Sequence, residues 1–260
     1  MLAAGCEQNA DEPPRPPAAT PRPPCAGDVV ANSIGMKLAY VPPGKFVMGS
    51  PVDEPGRHND ESTHHVTISR GFYLGVTEVT QAQWKRVSGF NRSETKGDDL
   101  PVSRISWRHA DAFCKKLGQA EGRTYRLPTG AEWEYACRAG TQGPFAGTGT
   151  LDEMGWHMDN SGERPHAVGG RKPNAWGLYD MHGNVAEWCA DWYRPDGPAG
   201  ASTDPRGAAE GKYRVARGGS WGHFPRACRS AARANFNPAY QLDQLGLRVV
   251  MEPANHNNGR

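Results

Sequence analysis

Asn174-Ala-Trp-Gly-Leu-Tyr-Asp-Met-His-Gly-Asn-Val-Ala-Glu-Trp188 decides how this chain is read. It places Asp180 and Glu187 on either side of Gly183 and Asn184. Carboxylate and backbone oxygens spaced in this way suit a loop that wraps a hard cation such as calcium, and glycine lets the backbone turn tightly around it. Trp176 and Trp188 flank the run and offer apolar walls for it.

Other pieces are collinear with this one. Asn32-Ser-Ile-Gly-Met-Lys-Leu38 precedes Val41-Pro-Pro-Gly-Lys-Phe-Val-Met-Gly49. Then come Glu78-Val-Thr-Gln-Ala-Gln-Trp84, Pro101-Val-Ser-Arg-Ile-Ser-Trp107 and Arg126-Leu-Pro-Thr-Gly-Ala-Glu-Trp-Glu-Tyr135. Arg217-Gly-Gly-Ser-Trp221 and Leu245-Gly-Leu-Arg248 follow the central run. Together they resemble the formylglycine-generating-enzyme-like, or sulfatase-modifying-factor, domains. The resemblance implies one loop-rich α+β domain with a C-type-lectin-like core over residues 30–252, and a protein or peptide partner such as a sulfatase. By fold, the implied reaction is oxidation of a partner's cysteine to formylglycine. A fold hosts many functions, so the site residues decide the chemistry.

Carried over residue by residue, the resemblance makes Asp180 and Glu187 side-chain ligands of calcium, and Gly183 and Val185 backbone ligands. The family more often has Asn at the position of Asp180, which makes this site more acidic. A second calcium loop of the family corresponds to Gly155-Trp-His-Met-Asp-Asn-Ser-Gly162, with no ligands assignable here.

The segment that would carry the oxidase chemistry departs from the family. The enzymes have two cysteines after the Gly-Gly-Ser motif, and soft thiolates select copper(I). Here the segment reads Gly218-Gly-Ser-Trp-Gly-His-Phe-Pro-Arg-Ala-Cys228. Counted forward from Ser220, His223 stands in the first cysteine's place and Cys228 in the second's. Counted back from Ala231-Ala-Arg233, the loop is shorter than in the enzymes. Either count leaves one cysteine, so a paired-thiolate copper site is not expected. His223 and Cys228 are the candidate catalytic groups, as an altered metal site or a base and nucleophile. Against that stands a reading of Cys228 as a disulfide half and His223 as a surface residue. The resemblance implies a bridge from the Cys137 helix to the neighbourhood of Cys228, with the pairing left open.

Two further readings concern the same loop. Gly218-Gly-Ser-Trp-Gly222 fits the G-x-S-x-G elbow, but Pro225 argues against the helix such an elbow needs. Trp221, Phe224, Phe236 and Tyr240, within Trp221–Gln244, are the aromatic mix found at binding hot spots. A non-catalytic ligand- or protein-binding face is therefore the alternative function.

Composition narrows the rest. A net charge of +2 without a basic run gives no case for nucleic acid. No apolar run approaches the roughly 18 residues of a membrane span. Gly 32 and Pro 22 predict a loop-rich domain. Leu2-Ala-Ala-Gly-Cys6 resembles a bacterial lipobox, without the basic and apolar segments that complete such a signal. The Pro-rich stretch after it reads as a tether. The expectation is an exported protein of the cell envelope, lipid-anchored at Cys6, with residues 1–29 as the stalk and 253–260 as a flexible tail.

Locally, Lys37–Val41 and Lys45–Met48 read as a hairpin around Pro42-Pro43-Gly44. His64–Ile68 and Phe72–Leu74 read as strands. Three helices have mechanisms: Thr80 to Ser88, Ser106 to Gln119, and Thr129 to Ala139 with a stop at Gly140. Residues 141–212 read as nearly irregular, and Tyr213–Arg217 and Leu247–Met251 as closing strands.

Overall fold

The computed structural model describes residues 23–195 and 200–254. Cys6, most of the stalk and the tail from residue 255 lie outside the described residues. Among the described residues the fold is α+β, built from three small sheets and four α-helices. The first sheet holds β1 (Val29–Ala31), β2 (Lys37–Val41), β5 (Phe72–Gly75), β6 (Tyr125–Arg126) and β12 (Val250–Met251), in the order β1-β2-β5-β12-β6. The second holds β7 (Ala186–Trp192), β9 (Arg214–Arg217), β10 (Ala234–Phe236) and β11 (Leu245–Gly246), in the order β10-β9-β7-β11. The third is β3 (Gly44–Met48), β4 (His64–Ile68) and β8 (Ser202–Thr203).

The expected hairpin is therefore corrected. β2 pairs with β1 and β5, while β3 pairs with β4 in another sheet. Pro42 and Pro43 have no N–H to donate, so the chain turns a corner there and changes sheet.

The helices start where their caps are. α1 (Gln81–Ser88), α2 (Trp107–Glu121) and α3 (Gly130–Arg138) follow Thr80, Ser106 and Thr129, each in a reciprocal capping box. Ala139, not Gly140, takes the left-handed cap of α3, with φ of 44°. α4 (Leu151–Met154) is one turn in the stretch expected to be irregular. That stretch also contains β7, the longest strand among the described residues, whose first four residues are buried.

Two apolar clusters result. One joins α1, α2 and β7 through Trp84, Phe113 and Trp188, with Trp84 stacked on Phe113 at 5.0 Å. The other packs α3 against the first and third sheets through Trp133, Ala136, Phe72 and Val66. The second sheet runs between them and carries charged residues into the interior. No helix among the described residues is long and apolar enough to cross a membrane.

Candidate functional site

Asp180 and Glu187 are both buried, near the seam between the two cores. β7 fixes Glu187, and a left-handed residue, φ 56°, turns Asp180 inward. Each oxygen of Glu187 is engaged by donors. Arg248 donates to Oε1 from Nη2 at 2.7 Å and to both oxygens from Nε at 3.0 Å. The Trp133 indole N–H donates to Oε2 at 2.6 Å. Arg248 also donates to the carbonyls of Gly75 and Tyr179, each at 2.8 Å.

Asp180 Oδ2 accepts the Gly169 amide at 2.6 Å, whereas Oδ1 has no hydrogen-bond partner. Glu78 lies against it, and its Oε2 is likewise unpartnered. Burial first, and then the charge of Asp180, holds Glu78 well above the usual carboxylate range. Burial raises Asp180 too. The structure thus brings Asp180 and Glu187 into one acidic cluster and adds Glu78, which sequence reasoning did not assign.

This donor set does not fit a calcium ion in the arrangement expected. Calcium takes six to eight oxygens, yet Glu187 faces a guanidinium with both of its oxygens. The oxygens left open are Asp180 Oδ1 and Glu78 Oε2. Among the described residues, no three His, Cys, Asp or Glu side chains are grouped to hold a metal. The Gly183 amide donates to Gly218 O at 2.7 Å and the Val185 amide to Glu78 Oε1 at 3.4 Å, and a Cβ on Gly183 would lie 2.0 Å from Trp156 O. The Gly155–Gly162 loop is tied to α4 by His157 on Asp152 at 2.7 Å, and to itself by Asn160 donating to Gly155 O at 3.1 Å.

His223 and Cys228 do not act on one another. His223 Nδ1 pairs with Ser220 Oγ at 2.8 Å. The Cys228 sulfur points to Phe224 O at 4.0 Å and lies under Gly219, where a Cβ would meet it at 2.6 Å. Burial pushes the Cys228 thiol up to about 12, so it carries no thiolate at neutral pH. Ser220 is buried, and a 3-10 turn, Pro225–Cys228, follows it in place of the helix of a hydrolase elbow.

The implied bridge from Cys137 is not formed. Cys114, Cys137, Cys189 and Cys228 are in no disulfide, and the Cys137 sulfur faces Ser230 Oγ and His182 Nε2, each at 3.7 Å. Serine offers it no sulfur to join. His182 is fully enclosed: its Nε2 accepts the Ala146 amide at 3.0 Å and its Nδ1 bonds Cys228 O at 2.7 Å. Burial pushes its imidazole down to about 4.

The aromatic face divides. Phe224 is 52% exposed and Tyr240 51%. Met158 and Leu242 stand exposed beside them, joined through Met158 N to His223 O at 3.0 Å and through Gly222 against Gln244. Trp221 is half-buried. Phe236 instead turns its ring edge to Trp188 at 6.1 Å and belongs with the core.

Two outcomes follow from this geometry. Glu187→Ala leaves Arg248 buried without its partner and should cost about 3–5 kcal/mol in chemical denaturation. In the same assay, adding calcium or EDTA should leave the wild-type midpoint in place; a chelator-induced loss of stability would show that an ion, not Arg248, neutralises the cluster. The second outcome concerns acid. Between pH 6.5 and about 4 the unfolded chain takes up a proton at His182 that the folded chain refuses. Stability should be full above that window and fall through it by on the order of 3 kcal/mol. His182→Asn should flatten the stability profile over that range, and an unchanged slope would remove His182 as its source.

Comparison with known proteins agrees with this architecture. The model of the sulfatase-modifying factor enzyme 1-like domain matches residues 31–253. The chaperone protein LppX of Paenibacillus barcinonensis is 31% identical over 243 residues, covering 73% of this chain and 82% of that protein. The formylglycine-generating enzyme of Bos taurus is 35% identical over 192 residues, and the chain spans 50% of that enzyme's length. The solved structure of Treponema denticola variable protein 1 superposes with a TM-score of 0.81 at 30% identity, over 86% of this chain and 99% of that one. The chain belongs to the sulfatase-modifying factor enzyme 1-like domain family.

Proposed function

We propose that this protein is a non-catalytic member of its family, an exported binding module that holds polypeptide partners on the Trp221–Gln244 face. The observation that carries the reading is the contrast within one loop. Its sulfur is sealed beneath Gly219, while Phe224 and Tyr240 are each about half exposed. Paired thiolates that bind copper need two accessible cysteines, and the segment from Ser220 to Arg233 contains one.

The exposed set has the composition of an interaction surface. Arg226 lies over the Phe224 ring at 5.1 Å, and Arg92 reaches Gln241 at 3.2 Å beside Phe90. Aromatic anchors rimmed by arginine carry most of the binding energy at protein interfaces. Resemblance to LppX, a chaperone, favours a protein as occupant. A formylglycine-generating role would require an oxidation centre that His223 and Cys228 do not make.

The test uses an unfolding protein as probe. Wild type should suppress aggregation of reduced insulin chains, measured by light scattering. Phe224→Ser/Tyr240→Ser should lose that effect, with its melting midpoint unchanged because both side chains are at the surface. Conversion of a sulfatase-motif cysteine peptide to its aldehyde, with copper(I) and oxygen supplied, would overturn the non-catalytic reading. Failure of wild type to suppress aggregation would overturn the polypeptide-holding one.

Placement at the cell envelope rests on Leu2-Ala-Ala-Gly-Cys6 and the Pro-rich stretch after it. Expressed with its native upstream region in a bacterial host, the protein should take up labelled palmitate, and Cys6→Ala should abolish the label. Equal labelling of both forms would remove the anchor.

A further inference from the structure

A cavity of about 220 Å³ opens between the N-terminus of α3, the strands β7 and β9, and the loop after β8. Its wall is part apolar and part charged. Met48, Ala131, Trp192 and Val215 supply apolar surface. The charged part is four arginines, Arg194, Arg206, Arg217 and Arg233, against one acid, Asp191.

Each charge can be followed to its partner. Arg217 is 1% exposed and fully engaged at its Nη atoms: Nη2 donates to Glu134, and Nη1 to Ala231 O at 2.8 Å and Ala232 O at 2.6 Å. Arg233 has a weaker hold on its acid. Its Nη1 donates to Asp60 O at 2.9 Å and to Asp60 Oδ2 at 3.4 Å, and that Oδ2 also accepts the Tyr193 hydroxyl at 2.9 Å. The Arg233 Nε and Nη2 groups donate to nothing among the described residues. Burial first, and then the charge of Arg217, hold its guanidinium below the ordinary range. Arg194 and Arg206 are exposed, and neither side chain meets a carboxylate among the described residues.

Asp191 ties these groups to one place. It is 7% exposed, and its Oδ2 accepts the Gly130 amide at 2.6 Å. A Cβ on Gly207 would lie 2.7 Å from Asp191 Cβ, so the backbone next to Arg206 rests on the acid. The charge of Arg233 acts on the same carboxylate, and Arg233 Nη1 reaches Arg194 O at 3.4 Å. Glu134 answers Arg217 and Asp60 answers Arg233. Arg194 and Arg206 then stand against Asp191 alone, which leaves the wall with a single positive charge in excess.

We infer that this cavity binds a small monocarboxylic acid as its anion. The carboxylate lies between Arg206 and the open edge of Arg233, with Arg194 at the mouth, and the apolar body packs on Met48, Ala131 and Val215. Arginine favours such a ligand because its planar fork matches a carboxylate. A phosphate dianion would exceed the charge available and would leave the apolar wall without a partner. Size points the same way, since pockets for drug-sized molecules run from about 300 Å³ upward. This inference is independent of the polypeptide-binding face and of any catalysis.

Asp191 is the group in the wall that repels such a ligand. Burial pushes its carboxyl up to about 6; Glu132 on α3 raises it and Arg233 lowers it, while Arg214 on β9 also feels its charge. The acid is therefore charged above that point and neutral below it, so the anion binds more tightly in mild acid.

Met48 provides a reporter inside the cavity. The full chain, labelled with carbon-13 at methionine methyls, is titrated at low salt with benzoate, benzamide and inorganic phosphate. Met48→Leu identifies the Met48 signal. Benzoate should shift that signal saturably, and benzamide and phosphate should leave it in place. Arg206→Gln, a surface change, should weaken benzoate by about fivefold or more. Wild type should bind benzoate about threefold or more tightly at about pH 5.5 than at about pH 7.5. Asp191→Asn should bind it equally at both. The inference is overturned if benzamide or phosphate shifts Met48 as benzoate does, or if benzoate leaves Met48 in place. It is equally overturned if Arg206→Gln binds as wild type does, or if Asp191→Asn keeps the wild-type dependence on pH.

Discussion

The guanidinium of Arg248 holds four separate parts of this chain in place. It faces Glu187 on β7, the Gly75 carbonyl at the end of β5 and the Tyr179 carbonyl before the central turn, and it leaves β12 two residues before that strand begins. Arginine suits the task because its donors form a fixed planar fork and it does not lose its charge. Arg217 and Arg229 repeat the arrangement. Arg217 joins Glu134 on α3 to the carbonyls of Ala231 and Ala232, and Arg229 joins Glu54 and Glu61 to the carbonyl of Gly56. In a domain with short strands and long loops, many backbone carbonyls lack ladder partners. Buried carbonyls must be satisfied, and these three side chains satisfy several at once. Their burial is also why single losses are severe: the surviving partner is left charged in an apolar interior.

The same constraint explains the acidic turn. A sequence with carboxylates at positions 180 and 187 invites a cation, and the interior does supply one, covalently attached, at position 248. Glu78 and Asp180 are the residue of that balance. Each retains an unpartnered oxygen, and burial favours the neutral form of each.

Much of this was legible beforehand, in particular places. Each of the three main helices begins at the capping residue that its S/T-x-x-E/Q or related spacing marks, because a cap is a local interaction. β7 was missed because it is buried along most of its length, so Glu187-Trp-Cys-Ala-Asp-Trp192 shows no polar–apolar alternation to betray a strand. The β2–β3 hairpin was misread because a turn between two strands does not say whether they pair. Site residues were harder still. Arg248 and Glu78 stand within Leu245–Arg248 and Glu78–Trp84, but their meeting depends on which strands lie side by side. The signal available was a charge set inside an apolar run, Leu247-Arg248-Val249, where an unpaired arginine has no business.

The glycine above the Cys228 sulfur sets what this loop can change. Gly219 sits at φ +68° and has room for no side chain, and the thiol fills the space beneath it. Exposing that thiol would take movement of the backbone itself, not the exchange of one amino acid. The aromatic rim carries no such tie: Phe224 and Tyr240 are each about half exposed, so either can be exchanged without disturbing the packed sulfur.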